Sequence, residues 1–200
     1  MLLKRCLDVV LSFLALLLLT PLLALIAVLV FLDSGRPVLF RQQRVGRAFR
    51  CFEILKFRTM RVESGGPAIT AAGDHRITKI GKLLRNTKLD ELPQLWNVLR
   101  GDMSLVGPRP EVPPYVELFR DRYRRILTLR PGITDLASIQ FRNEEHLLAS
   151  SSDPVRAYVE TVLPAKLDLN ERYVSQQSAM FDLRILYHTV LVTICGSGRN

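Results

Sequence analysis

The chain has 200 residues, with 28 Lys and Arg against 19 Asp and Glu for a formal charge of +9, and 48% of it is hydrophobic. That is one domain's length with enough apolar chain for a modest core, and its basic excess suits nucleic acid, anionic lipid or phosphorylated ligands equally. Cys6, Cys51 and Cys195 are odd in number and far apart, which excludes a disulfide framework or a cysteine zinc site and points to a reducing compartment; His75, His146 and His188 are scattered and read as surface or packing residues.

Residues 7–32 are apolar except for Asp8, Ser12 and Thr20. Their length permits one transmembrane helix. A cleaved signal peptide fits less well, because the run is too long and no small-residue cleavage site follows. Two features argue against a simple span. Thr20-Pro21 falls near the middle, where proline removes a backbone hydrogen bond and bends a helix. Basic residues also flank both ends, Lys4 and Arg5 before and Arg36, Arg41, Arg44 and Arg47 after. The positive-inside rule keeps both flanks in the cytoplasm, and a spanning helix leaves one of them outside. The predicted form is a re-entrant helix-break-helix over residues 1–35, with a catalytic domain over 36–200 on the cytosolic face. Asp8, four residues after Lys4, is expected to pair with it near the headgroups.

Asp33-Ser34-Gly35-Arg36-Pro37 is a turn signal. Residues 38–40 and 49–57 read as two short strands of a β-hairpin, with Val45-Gly46-Arg47 near the turn. Lys56 and Arg58 are two apart at the end of the second strand and so share a face; a charged strand edge explains them without any site. Eight basic residues between Arg36 and Arg61 oppose the single Glu53. Beside a membrane this cluster reads as an attachment to anionic headgroups, and otherwise as a solvated basic loop. Glu63 to Asp74, centred on Gly65-Gly66-Pro67, reads as a mobile loop of the kind that often covers a substrate. A helix is predicted from about Ile77 to Arg85, with Ile80, Leu83 and Leu84 inward.

The densest stretch follows. Leu89, Leu92, Leu95, Trp96 and Leu99 recur at helical spacing. Pro93 cannot sit deep in a helix, so the helix is predicted to start only a few residues earlier, with Thr87 or Asp90 as candidate caps. Asp90 and Glu91 then lie in or beside the first turn, where free N–H groups and the helix dipole favour negative charge and can also gather a phosphate or its metal ion. Ordinary first-turn acids are the plain alternative. Arg85 upstream and Gly107-Pro108-Arg109-Pro110 downstream tilt the balance, because a rigid, proline-flanked arginine suits a fixed fork for phosphate.

Beyond Pro110, residues 116–129 predict one amphipathic helix with Val116, Phe119, Tyr123, Ile126 and Leu127 apolar and four arginines interleaved. It suits a membrane surface or, equally, a core helix with a solvated basic face. Asn143, Glu144 and Glu145 serve either a site or an exposed helix start. Two more helices are predicted near 154–175 and 182–194, the second too short to span a bilayer. The fold class is α+β and mostly helical: the membrane hairpin plus a small domain with a β-hairpin and amphipathic surface helices.

Leu89-Asp90-Glu91-Leu92-Pro93-Gln94, Asn97 through Pro110, and Lys56-Phe57-Arg58-Thr59-Met60 resemble the bacterial monotopic phosphoglycosyl transferases. The resemblance runs from about residue 4 to Thr134 and more weakly to the C-terminus. It departs after Thr134, where the family often has Gly-Trp-Ala-Gln and this chain has Asp135-Leu136-Ala137-Ser138. It implies transfer of a sugar 1-phosphate from a UDP-sugar to undecaprenyl phosphate, with release of UMP, as the first membrane step of surface-glycan assembly. It also implies Asp90 as nucleophile and Mg²⁺ ligand and Glu91 as its partner in proton handling. Lys56, Arg58, Arg85 and Arg109 would bind substrate phosphate. The implied setting is monotopic insertion in a phospholipid membrane, at the cytoplasmic face of the bacterial inner membrane. No nucleic acid is implied and a homo-oligomer is left open. The length is too short for the extra transmembrane helices or fused transferases of larger relatives. Two rivals stand beside this reading, a tethered basic binding protein and a membrane-bound phosphodiesterase that hydrolyses UDP-sugars.

Overall fold

A computed structural model describes residues 2–61 and 74–195. It begins with α1 (Leu2–Ser34), assigned as one helix straight through Pro21, where the sequence predicts a break. Pro21 offers no N–H to the carbonyl of Leu17, and the neighbouring Thr20 hydroxyl donates to Leu16 O at 2.7 Å, a back-bond of the kind that bends helices without ending them. Leu11, Phe13, Leu14, Leu17 and Leu18 in its middle are exposed. Among the described residues this is the one helix long and apolar enough to cross a membrane.

Both ends of α1 dock on the same body. At the start, Lys4 Nζ donates to Asp182 at 2.5 Å and to Val106 O at 2.9 Å, while Arg5 donates to the carbonyls of Val98 and Leu99. Asp8 does not pair with Lys4. It is buried and accepts from Ser104 Oγ at 2.8 Å and Leu105 N at 3.1 Å, because unpaired backbone and hydroxyl donors there face it more closely than the ammonium does. At the far end Ile26 and Val30 pack with Phe57 and Leu84 in an apolar cluster. Arg58 closes that end by donating to the carbonyls of Ser34, Gly35 and Arg36 and to the Ser34 hydroxyl.

The chain then forms the expected hairpin, β1 (Leu39–Val45) antiparallel to β2 (Cys51–Phe57), in register from Leu39 opposite Phe57 to Val45 opposite Cys51. The Gly-rich loop read over Glu63 to Asp74 lies, except for Asp74, outside the described residues. Helix α2 (Lys79–Thr87) is capped by Thr78, whose hydroxyl accepts from Gly81 N at 2.9 Å. A Cβ on Gly81 would sit 2.0 Å from Thr59 O, so glycine lets α2 press on the chain leaving β2.

Neither Thr87 nor Asp90 caps the next helix. Thr87 ends α2 with its hydroxyl bonded back to Leu83 and Leu84. Lys88 turns left-handed (φ 58°), Leu89–Glu91 form a 3₁₀ turn, and Pro93 precedes α3 (Gln94–Arg100). The 3₁₀ turn supplies i→i+3 bonds to N–H groups that a capping side chain would otherwise have to satisfy. Gly101 at φ 93° ends α3.

Next come β3 (Ser104–Val106), α4 (Pro113–Leu118), α5 (Arg120–Ile126) and β4 (Gly132–Thr134), with β3 parallel to β4. The single helix predicted over 116–129 is two, divided at Phe119 (φ −122°, ψ 34°). Its apolar face settles the alternatives left by the sequence. Val116, Tyr123, Ile126 and Leu127 enter the largest core cluster with Val162, Leu163 and Leu167, and Arg122 on the outer face pairs with Asp168 and Glu171. Short helices α6 (Leu136–Gln140), α7 (Glu144–Ala149) and α8 (Pro154–Ala157) lead through a π turn at Tyr158–Val162 into α9 (Leu163–Gln176) and α10 (Ala179–Cys195).

Candidate active site

The site forms where three pieces of backbone meet: the end of β2, the 3₁₀ turn before α3, and the strap between β3 and α4. Two glycines bring the strap close. Gly107 N donates to Thr134 O at 3.1 Å and Gly132 N to Pro108 O at 3.0 Å, and a Cβ on Gly132 would lie 2.1 Å from Gly107 N. Only glycine permits that contact. Proline on either side of Arg109 then fixes the strap's direction. The Arg109 backbone N–H is held by the fully buried Asp135, whose Oδ2 accepts it at 2.9 Å and whose Oδ1 caps α6 through Ser138 N at 2.6 Å.

Glu91, 8% exposed, is the hub of this arrangement. Its Oε1 accepts from Lys56 Nζ at 2.9 Å and from Arg109 Nη2, and its Oε2 accepts from Arg109 Nη1 at 3.2 Å. Burial alone would raise the Glu91 carboxyl, but the two cations outweigh it and hold it well below the ordinary range. Burial likewise lowers Lys56, with Glu91 opposing the shift. The Glu91 carboxylate drives Arg109 further up, so the guanidinium stays charged.

Asp90 sits one residue away in the opposite condition. It is 7% exposed and its Oδ1 has no hydrogen-bond partner among the described residues. Burial, and after it the Glu91 charge, raise its carboxyl above the ordinary value despite Lys56, Lys88 and Arg85 nearby. A buried carboxylate oxygen without a donor is expensive in a resting protein and marks a place prepared for a ligand.

Of the remaining cations named from the sequence, Arg85 approaches from α2, donating Nε to Glu145 at 3.1 Å and Nη1 to Thr59 at 3.4 Å. Arg58 lies at the base of α1 with its donors on that helix's last carbonyls. Lys56, Arg85 and Arg109 thus surround the two acids, and Arg58 stands apart. Glu145, which the sequence left between site and surface, holds Arg85. Asp135 went unnoticed as a site residue, although Asp-Leu-Ala-Ser has the form of a helix cap. Arg142 carries a buried Nη1 without a partner among the described residues and gave no signal of its own in sequence.

No cluster of three or more His, Cys, Asp or Glu able to hold a metal occurs among the described residues. Asp90 Oδ1 nevertheless suits a hard cation of the kind bound by one carboxylate together with substrate phosphates, since Mg²⁺ rarely takes an all-protein cage.

The chain matches the bacterial sugar transferase family over residues 1–196. It is 38% identical over 203 residues to the UDP-N-acetylgalactosamine-undecaprenyl-phosphate N-acetylgalactosaminephosphotransferase of Aeromonas hydrophila, covering 98% of this chain and 44% of that one. It is 40% identical over 194 residues to the UDP-glucose:undecaprenyl-phosphate glucose-1-phosphate transferase of Caulobacter vibrioides, covering 94% and 68% respectively. An exopolysaccharide production protein of Rhizobium leguminosarum is 39% identical over 199 residues, with 94% of both chains covered. This chain therefore spans less than half of the Aeromonas relative and nearly all of the Rhizobium one. It belongs to the bacterial sugar transferase family.

Proposed function

We propose that this protein transfers a sugar 1-phosphate from a UDP-sugar to undecaprenyl phosphate and releases UMP. The observation that carries the reading is the pair of adjacent buried carboxylates, one locked in ion pairs with two cations and the other left with an unpartnered oxygen. Phosphoryl transfer between anions asks mainly for positioning and charge neutralisation, and this arrangement supplies both. Relatives named for the same transfer support the reaction class.

In the proposed first step an Asp90 oxygen forms a bond to the β-phosphorus of the UDP-sugar. The bond from that phosphorus to the oxygen bridging to the α-phosphate breaks, and its electron pair leaves with UMP. In the second step a phosphate oxygen of the lipid attacks the same phosphorus and the bond to Asp90 breaks, restoring the carboxylate. The raised Asp90 carboxyl is the more basic and nucleophilic of the two. Glu91 is proposed to fix Lys56 and Arg109 toward the diphosphate and to act as the partner in proton handling for the lipid phosphate. Mg²⁺, when bound at Asp90, would neutralise diphosphate charge.

The membrane setting rests on α1. A straight helix of 33 residues would be about 50 Å long, more than the ~30 Å of a bilayer's hydrocarbon core. Here Lys4, Arg5 and Asp8 at one end and Ile26, Val30 and Ser34 at the other touch one body. A spanning helix would separate them by the bilayer. Docking at both ends supports a segment that dips its exposed apolar middle into the cytoplasmic leaflet and returns, holding the carboxylates at the level of a lipid phosphate.

The test is UMP release from a panel of UDP-sugars with Mg²⁺, with and without undecaprenyl phosphate. Lipid-dependent turnover on one or two sugars is expected. Multiple turnover without lipid would replace the transferase by a hydrolase, and no UMP from any donor would remove both.

A further inference from the structure

Six buried side-chain polar atoms lack a partner among the described residues, and two of them lie on one short helical stretch, Asp90 Oδ1 and Gln94 Nε2. One is an acceptor and the other a donor. Leu92 and Pro93 both keep right-handed helical dihedrals, so the 3₁₀ turn runs into α3 without a change of direction. Four residues at about 100–120° each put Gln94 between about 40° and 120° around the axis from Asp90 and about one turn further along. Trp96 takes the opposite face and is half exposed, whereas Gln94 is 1% exposed.

Asn97, on the same face, shows what a structural amide looks like here. Its Nδ2 donates to Glu53 O at 2.7 Å and its Oδ1 accepts from Leu55 N at 3.0 Å, tying α3 to β2. Gln94 has no such engagement for its donor. A buried N–H that the fold leaves unused is tolerated where a ligand will take it, since burial without a partner otherwise only costs stability.

We infer that Gln94 is a substrate-contacting residue whose Nε2–H donates to a non-bridging oxygen of the phosphate that Asp90 attacks. The inference rests on the transfer proposed above. While the bond from Asp90 forms and the bond to the departing UMP breaks, those oxygens keep their negative charge at a buried place. A preorganised donor there stabilises charge without solvent reorganisation. The same bond holds the phosphosugar on Asp90 until the lipid phosphate arrives.

The experiment compares Gln94→Met, close in length but without a donor, with Gln94→Glu and with Asn97→Leu as the structural control. UMP release is measured with undecaprenyl phosphate and the UDP-sugar that the wild type uses, alongside thermal unfolding. Gln94→Met should lower kcat about 100-fold, as loss of one oxyanion donor does. Its KM for the lipid should stay within about twofold and its Tm should be unchanged or higher, because an unpaired buried donor has been removed. Gln94→Glu should lose more, since it sets a negative charge against the phosphate. Asn97→Leu should lower Tm. Wild-type kcat in Gln94→Met, or a fall in activity that tracks a fall in Tm like that of Asn97→Leu, would overturn the role of Gln94. A wild type that releases no UMP would overturn the transfer reaction, and the role of Gln94 with it.

Discussion

Asp90 and Glu91 are neighbours in sequence and equally buried, yet the two sides of the site they form are built for opposite ends. Around Glu91 every interaction is already made: Lys56 from β2 and Arg109 from the strap both reach it, and Asp135 holds the backbone behind Arg109. Around Asp90 the fold stops short, leaving one oxygen bare and its carboxyl raised by burial. The finished side fixes cations in space. The unfinished side keeps free energy in reserve for a ligand that brings positive charge or an electrophilic phosphorus. Buried acids one residue apart can therefore differ in function because their partners differ, with no difference in their own chemistry.

The largest effect should come from breaking the Asp90 side alone. Asp90→Asn is expected to abolish UMP release, by about 10³-fold or more as for removal of a nucleophile, with Tm at neutral pH unchanged or raised. Wild-type turnover in this variant would remove Asp90 as nucleophile. Glu91→Gln attacks the other side and should lose both activity and stability, since two cations lose a buried counter-ion; breaking such a pair costs about 3–5 kcal/mol. Chemical denaturation of the two variants side by side should move in different directions, and parallel losses would erase the contrast. Arg58→Lys should cost about 1–3 kcal/mol by leaving carbonyls at the end of α1 unpaired, with kcat little changed in the folded fraction.

The smallest effect is the dependence of stability on pH, and it carries the sign of each shift. Glu91 is depressed, so its stabilisation is present above the unfolded carboxyl value of about 4.3 and is lost as pH falls through the lower folded value. Asp90 is raised, so the folded state binds its proton more tightly. The stability linked to that proton is present below the unfolded value of about 3.9 and is lost as pH rises through the folded value. Tm measured across the acid range should therefore show a decline with rising pH that Asp90→Asn removes and an acid-side decline that Glu91→Gln removes. Identical profiles for wild type and Asp90→Asn would contradict the raised carboxyl.

Much of this was legible in the sequence where local rules decide. The hairpin followed from apolar runs around Val45-Gly46-Arg47, α2 from its periodicity, and the nearness of Arg85 and Arg109 to Asp90 and Glu91 from the density of the stretch that carries all four, whereas Lys56 read as a charged strand edge and entered only through the family resemblance. The misses occur where distant chain takes over. Asp8 reaches Ser104 and Leu105 in place of Lys4, a choice made by tertiary contact across 96 residues. The parallel pairing of β3 with β4 joins segments only three residues long, too short for any period to show. Thr87 looked like a cap because Ser and Thr usually are, but the left-handed Lys88 had already closed α2. The separation of Arg58 from the other cations was invisible because side-chain alternation gives a face and not a partner.

The most direct measurement mixes the protein with the UDP-sugar it uses and Mg²⁺, without lipid, and follows UMP together with the mass of the peptide that carries Asp90. The account predicts about one UMP per protein, a mass gain equal to one phosphosugar on Asp90, and loss of that gain when undecaprenyl phosphate is added. Lipid-dependent transfer with no adduct on that peptide at any time would contradict it.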